Sequence, residues 1–141
     1  MIIKQLSVFL ENKSGRFTDV TQALAEGNIN ISAFNVAETS EFGILRMIVN
    51  KPDDAYKILK AKNFSVHLTD VIGMIVPHKP GGLYQALKII SEEKIDIEYM
   101  YAFAFNDRAT VIIRTDVPEK TIETLQKHKM ELIRSSQIYE V

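Results

Sequence analysis

The chain has 141 residues, 46% hydrophobic and 25% charged, and its 17 basic and 18 acidic side chains leave a net charge of −1. That is a globular composition without the bulk basic field that attracts nucleic acid or anionic lipid. The lack of cysteine excludes disulfides, thiolate catalysis and cysteine-ligated zinc, and suits a cytoplasmic chain. The longest apolar run, Val71 to Val76, is far short of the roughly 20 residues of a membrane-spanning helix.

In chain order, Leu6, Val8 and Leu10 alternate with Ser7 and Phe9, which predicts a strand and no signal-peptide layout. Residues 11–15 form a turn cluster. Phe17, Val20, Thr21 and Leu24 then recur at helical spacing, and Gly27-Asn28 stops the helix because both residues tolerate the left-handed conformation. Ile29 to Val36 reads as a second strand, Glu38 to Gly43 as a hairpin turn and Ile44 to Val49 as a third strand. Pro52 begins a second helix with an apolar face of Ala55, Ile58 and Leu59, and Phe64 to Leu68 is a fourth strand.

The same order then returns. Gly73 to Val76 is a strand, residues 77–82 a turn, and Leu83, Ala86, Leu87 and Ile90 a helix face. Ile95 to Phe105 and Thr110 to Thr115 are strands joined by the turn Asn106-Asp107-Arg108. A helix from Pro118 buries Ile122 and Leu125, and Leu132-Ile133 begins a last strand that Ile138 to Val141 extends. The two halves superpose at an offset of 66 residues: Gly15 on Gly81, Ile29 on Ile95, Ile31 on Ile97, Pro52 on Pro118 and Leu59 on Leu125. The expectation is an α+β chain of two tandem ferredoxin-like βαββαβ units, residues 1–70 and 71–141, with antiparallel sheets and helices on one face. One sheet face per unit lacks a cover, which points to a homodimer.

Chemistry concentrates at the turn between the first strand and helix. The helix that starts at Gly15 presents N–H groups without intrahelical partners at the positive end of its dipole, suited to a carboxylate or phosphate. Gly81-Gly82 leaves even more room in the second copy. Asn30 lies between two apolar anchors and recurs as Asp96, and its amide can serve both an ammonium and a carboxylate. Tyr99, Tyr101, Phe103 and Phe105 share one face of a strand, as core, as an inter-subunit contact or as a pocket wall. The three histidines lack metal-ligand spacing, so no metal and no cofactor are expected.

The stretch from Leu6 to Phe17, followed by Glu26-Gly-Asn-Ile-Asn-Ile31, resembles the ACT-domain pattern of a strand, Asn/Asp-Arg/Lys-Pro-Gly-x-Leu and Gly-x-Asn-Ile. The second copy matches through His78-Lys-Pro-Gly-Gly-Leu83 and Lys94-Ile-Asp-Ile97. The resemblance implies a regulatory protein without catalysis of its own, binding a free L-amino acid at an interface between domains. It places ligand contacts at Asn12 and Asn30, and the reading of the turn and second strand adds Lys13, Ser14, Gly15, Arg16, Phe17 and Ile31. A second site or pocket wall falls at His78, Gly81, Gly82, Leu83, Asp96, Tyr99 and Tyr101. Ser14 departs from the family's usual proline, and His78 and Asp96 replace the asparagines.

Leu6 to Gly15 and Leu45-Arg46-Met47 are also similar to the regulatory subunit of acetohydroxyacid synthase. That implies the alternative of a subunit that binds a biosynthetic enzyme without sensing free ligand. Acylphosphatase shares the ferredoxin-like plan and uses an arginine after the first strand, but Arg16 follows the glycine here rather than closing a phosphate loop. The sequence does not name the amino acid.

Overall fold

The computed structural model describes residues 1–11, 13–38 and 41–139. The elements run β1 (Ile2–Glu11), α1 (Arg16–Glu26), β2 (Ile31–Glu38), β3 (Phe42–Val49), α2 (Pro52–Ala61) and β4 (Ser65–Pro77). They continue with α3 (Gly82–Glu92), β5 (Ile97–Phe105), β6 (Arg108–Thr115), α4 (Pro118–Lys127), β7 (Glu131–Ile133) and α5 (Ser135–Tyr139). The chain forms two compact units. The first comprises Lys4–Thr69 with Ser136–Val141, and the second Met1–Ile3 with Asp70–Ser135.

In the first unit the strand order is β2-β3-β1-β4. Leu6 faces Met47 and Val8 faces Leu45 across an antiparallel ladder, so the alternating residues of β1 and β3 share one face. Val20, Ala23 and Leu24 of α1 and Ala55 and Leu59 of α2 bury that face. The second unit repeats the order as β5-β6-β4-β7, with Met74, Val76, Val111 and Ile113 under Ala86, Ile90 and Leu125. Each unit is the expected α+β ferredoxin-like plan, with two helices on one face of an antiparallel sheet.

Five local expectations are corrected. Residues 64–68 and 73–76 belong to one strand, because the polar step at Thr69-Asp70 finds partners. The Ser7 and Thr69 hydroxyls lie 3.2 Å apart, and the Arg114 guanidinium donates to the Asp70 carbonyl at 2.9 Å. Residues 135–139 form a helix rather than a strand extension, while residues 140 and 141 lie outside the described residues. Ile138 is buried there, and its carbonyl accepts from the Ser32 hydroxyl at 3.1 Å. The Tyr139 hydroxyl accepts from the Lys4 N–H at 2.7 Å.

Gly27 has an ordinary φ of −85°, and only Asn28 is left-handed, at 58°. Gly27 instead gives space to Ile58, whose Cδ1 would lie 2.4 Å from an added Cβ. In α4, Thr121 is buried and Ile122 only partly so. Thr121 is satisfied there by hydroxyl contacts to Thr115 and the Val117 carbonyl, both 2.9 Å.

At Gly82 a Cβ would fall 2.1 Å from the Pro77 carbonyl oxygen. The expected extra room of Gly81-Gly82 is therefore filled, at Gly82, by the chain itself. Gly82→Ala is expected to cost about 1–3 kcal/mol, as overpacking does, read as a lower urea midpoint at constant m. Native-like stability would contradict the close approach. Ile138→Ala is expected to lower stability by about 2–5 kcal/mol. An unchanged thermal midpoint would show that α5 does not hold to its unit.

Candidate functional site

In the first unit, Gly15 takes a left-handed φ of 87° and ends the turn after β1. The Arg16 N–H donates to the Lys13 carbonyl at 3.4 Å, and the Asp19 N–H to the Gly15 carbonyl at 2.9 Å. Among the described residues no side chain caps the helix end. The turn sets Phe17 in the first turn of α1, where its ring lies over Gly43 of β3: an added Cβ would sit 3.5 Å from the ring's Cζ.

Beside Phe17 opens a recess of about 270 Å³. Phe17 and Thr21 of α1 form one wall, Leu45 and Met47 of β3 contribute to it, and Ile31, Phe34 and Val36 of β2 complete it. A bulge between Ile31 and Ala33 produces that third wall. Ile31 pairs with Val49 and Ala33 with Ile48, so beyond the bulge Phe34 faces Met47 and Val36 faces Leu45. Both apolar side chains thereby join the face that carries the helices. β2 ends the strand order, and Phe34 remains 68% exposed.

The second unit repeats these devices with other side chains. Gly81 is left-handed, with φ 88°, and β5 has its bulge between Ile97 and Tyr99. A recess of about 260 Å³ is lined by Leu83, Ala102, Ala104, Ala109 and Val111, with His78 and Lys79 also at its wall. At the 66-residue offset, Phe17 over Gly43 becomes Leu83 with Ala109. A large residue against none becomes a smaller residue against a methyl.

Of the residues singled out in sequence, Phe17 and Ile31 line the first recess. Gly15 and Ser14 form the turn, and Asn12 lies outside the described residues. Lys13 pairs with Glu11 at 2.8 Å; its hydrogen bond and charge, helped by Arg16, hold the Glu11 carboxyl below its ordinary pKa. Both partners are well exposed, so the pair adds little to stability. The Arg16 guanidinium lies 3.7 Å from Asp19 and 5.2 Å from the centre of the Phe64 ring. Asn30 is exposed and held by its backbone: its N–H donates to the Asn50 side chain at 2.9 Å and its carbonyl accepts from the Asn50 N–H at 3.1 Å.

In the second unit, His78 and Leu83 line the recess, Gly81 makes the turn, and Asp96 is exposed. Tyr99, Tyr101, Phe103 and Phe105 share one face, opposite Arg114, Ile112, Thr110 and Arg108. That face is not the one the helices cover, and Phe105 is 78% exposed, so these aromatics are not buried core. Phe34 and Val36 had no signal in sequence because the bulge breaks the alternation that would have placed them. Among the described residues no acidic or histidine cluster could hold a metal, and no helix is long and apolar enough to cross a membrane.

No curated protein matches the sequence. Among solved structures, the chain is similar to protein BT0572 from Bacteroides thetaiotaomicron, with 51% identity, a TM-score of 0.96 and coverage of 100% of this chain and 98% of that one. It also shares its fold with the ligand-free regulatory subunit of aspartate kinase from Thermus thermophilus, at 15% identity and a TM-score of 0.66, over 89% of this chain and 93% of that one. The regulatory subunit from Thermus flavus is similar at 15% identity and a TM-score of 0.60, over 89% and 92%. The family model described as an ACT domain pair matches residues 1–141. With the glycine turn and the bulged strand present in both units and that match running along the whole length, the chain belongs to the ACT domain pair family.

Proposed function

We propose that this protein is an amino-acid sensor that regulates amino-acid metabolism. The observation that carries the proposal is the recess at α1 and β2 of the first unit, whose wall includes Phe17 from the first turn of the helix that starts after Gly15. A free L-amino acid places its carboxylate toward the backbone N–H groups of Gly15 to Phe17, where the helix dipole favours negative charge. Its ammonium is held by Asn30 or by neighbouring carbonyls of β2. Its side chain enters the recess between Phe17 and Ile31. In a homodimer, a second copy of the chain closes the open edge along β2. The ligand then favours the arrangement in which the seat is complete, and regulation follows from that difference in affinity.

A second proposal, that the protein acts as a subunit on a biosynthetic enzyme without sensing ligand itself, draws on the exposed apolar residues Phe34 and Phe105. The two separate in a thermal-shift panel of the twenty amino acids. Sensing predicts that at least one raises the midpoint at millimolar concentration. A ligand at ten times its Kd stabilises by about 1.4 kcal/mol, roughly 3–6 °C for a chain of this size. Asn30→Ala is expected to reduce the shift severalfold. A flat panel contradicts sensing and leaves the partner-binding proposal, which predicts capture of an enzyme by the full chain.

A further inference from the structure

We infer that the amino acid taken by the first unit carries a large apolar side chain. This deepens the proposed function and rests on it. Phe17, Ile31, Phe34, Val36 and the β3 pair Leu45 and Met47 are all apolar. Among the described lining residues Thr21 is polar, and it already directs its hydroxyl to the carbonyls of Phe17 at 3.0 Å and Thr18 at 3.1 Å, inside its own helix. Among the described residues no charged side chain lines the recess.

A ligand ammonium, guanidinium or carboxylate pushed into that lining loses its water and meets no counter-charge, a penalty that charged groups avoid. Glycine, alanine or serine leaves most of the wall unfilled and forgoes its apolar contact. The volume, about 270 Å³, lies just below the range of roughly 300–1,000 Å³ common for small-molecule sites. It suits one large side chain rather than a nucleotide or an extended cofactor.

The second unit sharpens the contrast. Its recess carries His78 and Lys79, and Ala102 stands where the first has Val36. A lining without a charged or histidine side chain among the described residues is a property of the first recess. Phe17 and Phe34 are the residues that set the preference, one from the helix and one from the edge strand. Both are well exposed in the free chain, at 42% and 68%, so truncating either leaves the fold in place.

The test is calorimetric titration of the full chain with leucine, isoleucine, methionine and phenylalanine against aspartate, lysine and serine. The apolar set is expected to bind and the other set not to bind. Phe17→Ala and Phe34→Ala should each weaken binding about tenfold or more, as loss of an aromatic anchor does, with an unchanged circular dichroism spectrum. Phe105→Ala, which truncates a more exposed aromatic outside both recesses, should leave the affinity within about twofold. Binding of only the charged or small amino acids overturns the inference but leaves the sensor proposal standing. Binding of the apolar set that ignores both phenylalanine variants misplaces the seat, and if those variants change only the oligomeric state, the recess is a contact between copies. No binding at all removes the sensor proposal itself.

Discussion

The left-handed turn at Gly15 is the constraint on which the candidate site depends. A residue with φ near 87° reverses the chain directly into a helix, and only glycine does so without strain. The turn decides where the first turn of α1 lies and therefore where Phe17 goes. With Phe17 over Gly43, the ring becomes a wall of the recess rather than part of the core. Gly81 imposes the same geometry on α3, where Leu83 and Ala109 share out the volume differently.

The other half of the site comes from an irregularity of the sheet. A regular β2 would place Phe34 and Val36 on the face opposite Ile31. The bulge after Ile31 turns both back to the helix side, where they meet Phe17 and Thr21 across the recess. Two local departures from regular structure thus converge on one apolar hollow at the edge of the unit. The same departures in the second unit produce a hollow with His78 and Lys79 in its wall. Duplication preserved the backbone devices and varied the chemistry of the lining.

The βαββαβ order was legible in sequence because each element carries its own signal. Examples are the alternation of Leu6, Val8 and Leu10, the glycine before each first helix and the proline at the start of each second one. Features that depend on tertiary partners were not legible. Thr69-Asp70 looks like a break until Ser7 and Arg114 satisfy it within one continuous strand. Residues 135–139 look like an extension of the last strand until Ile138 is buried in a unit built mostly from the other half of the chain. At the site, Phe17 could be named from the turn motif and Ile31 from the segment that leads into the second strand. Phe34 and Val36 could not, because a bulge leaves no mark on hydrophobic alternation except its interruption.

The chain belongs to the ACT domain pair family, and its first unit holds an apolar hollow of about 270 Å³. Under the proposed function, the apolar lining takes the side chain of a free amino acid and the helix end takes its carboxylate. The most direct test is to map backbone amide shifts by NMR while adding the amino acid that most raises the thermal midpoint. Binding at this seat predicts that the largest shifts fall at Gly15 to Phe17 and from Ile31 to Val36. Saturable shifts confined to the second unit, or none at either segment, would contradict it.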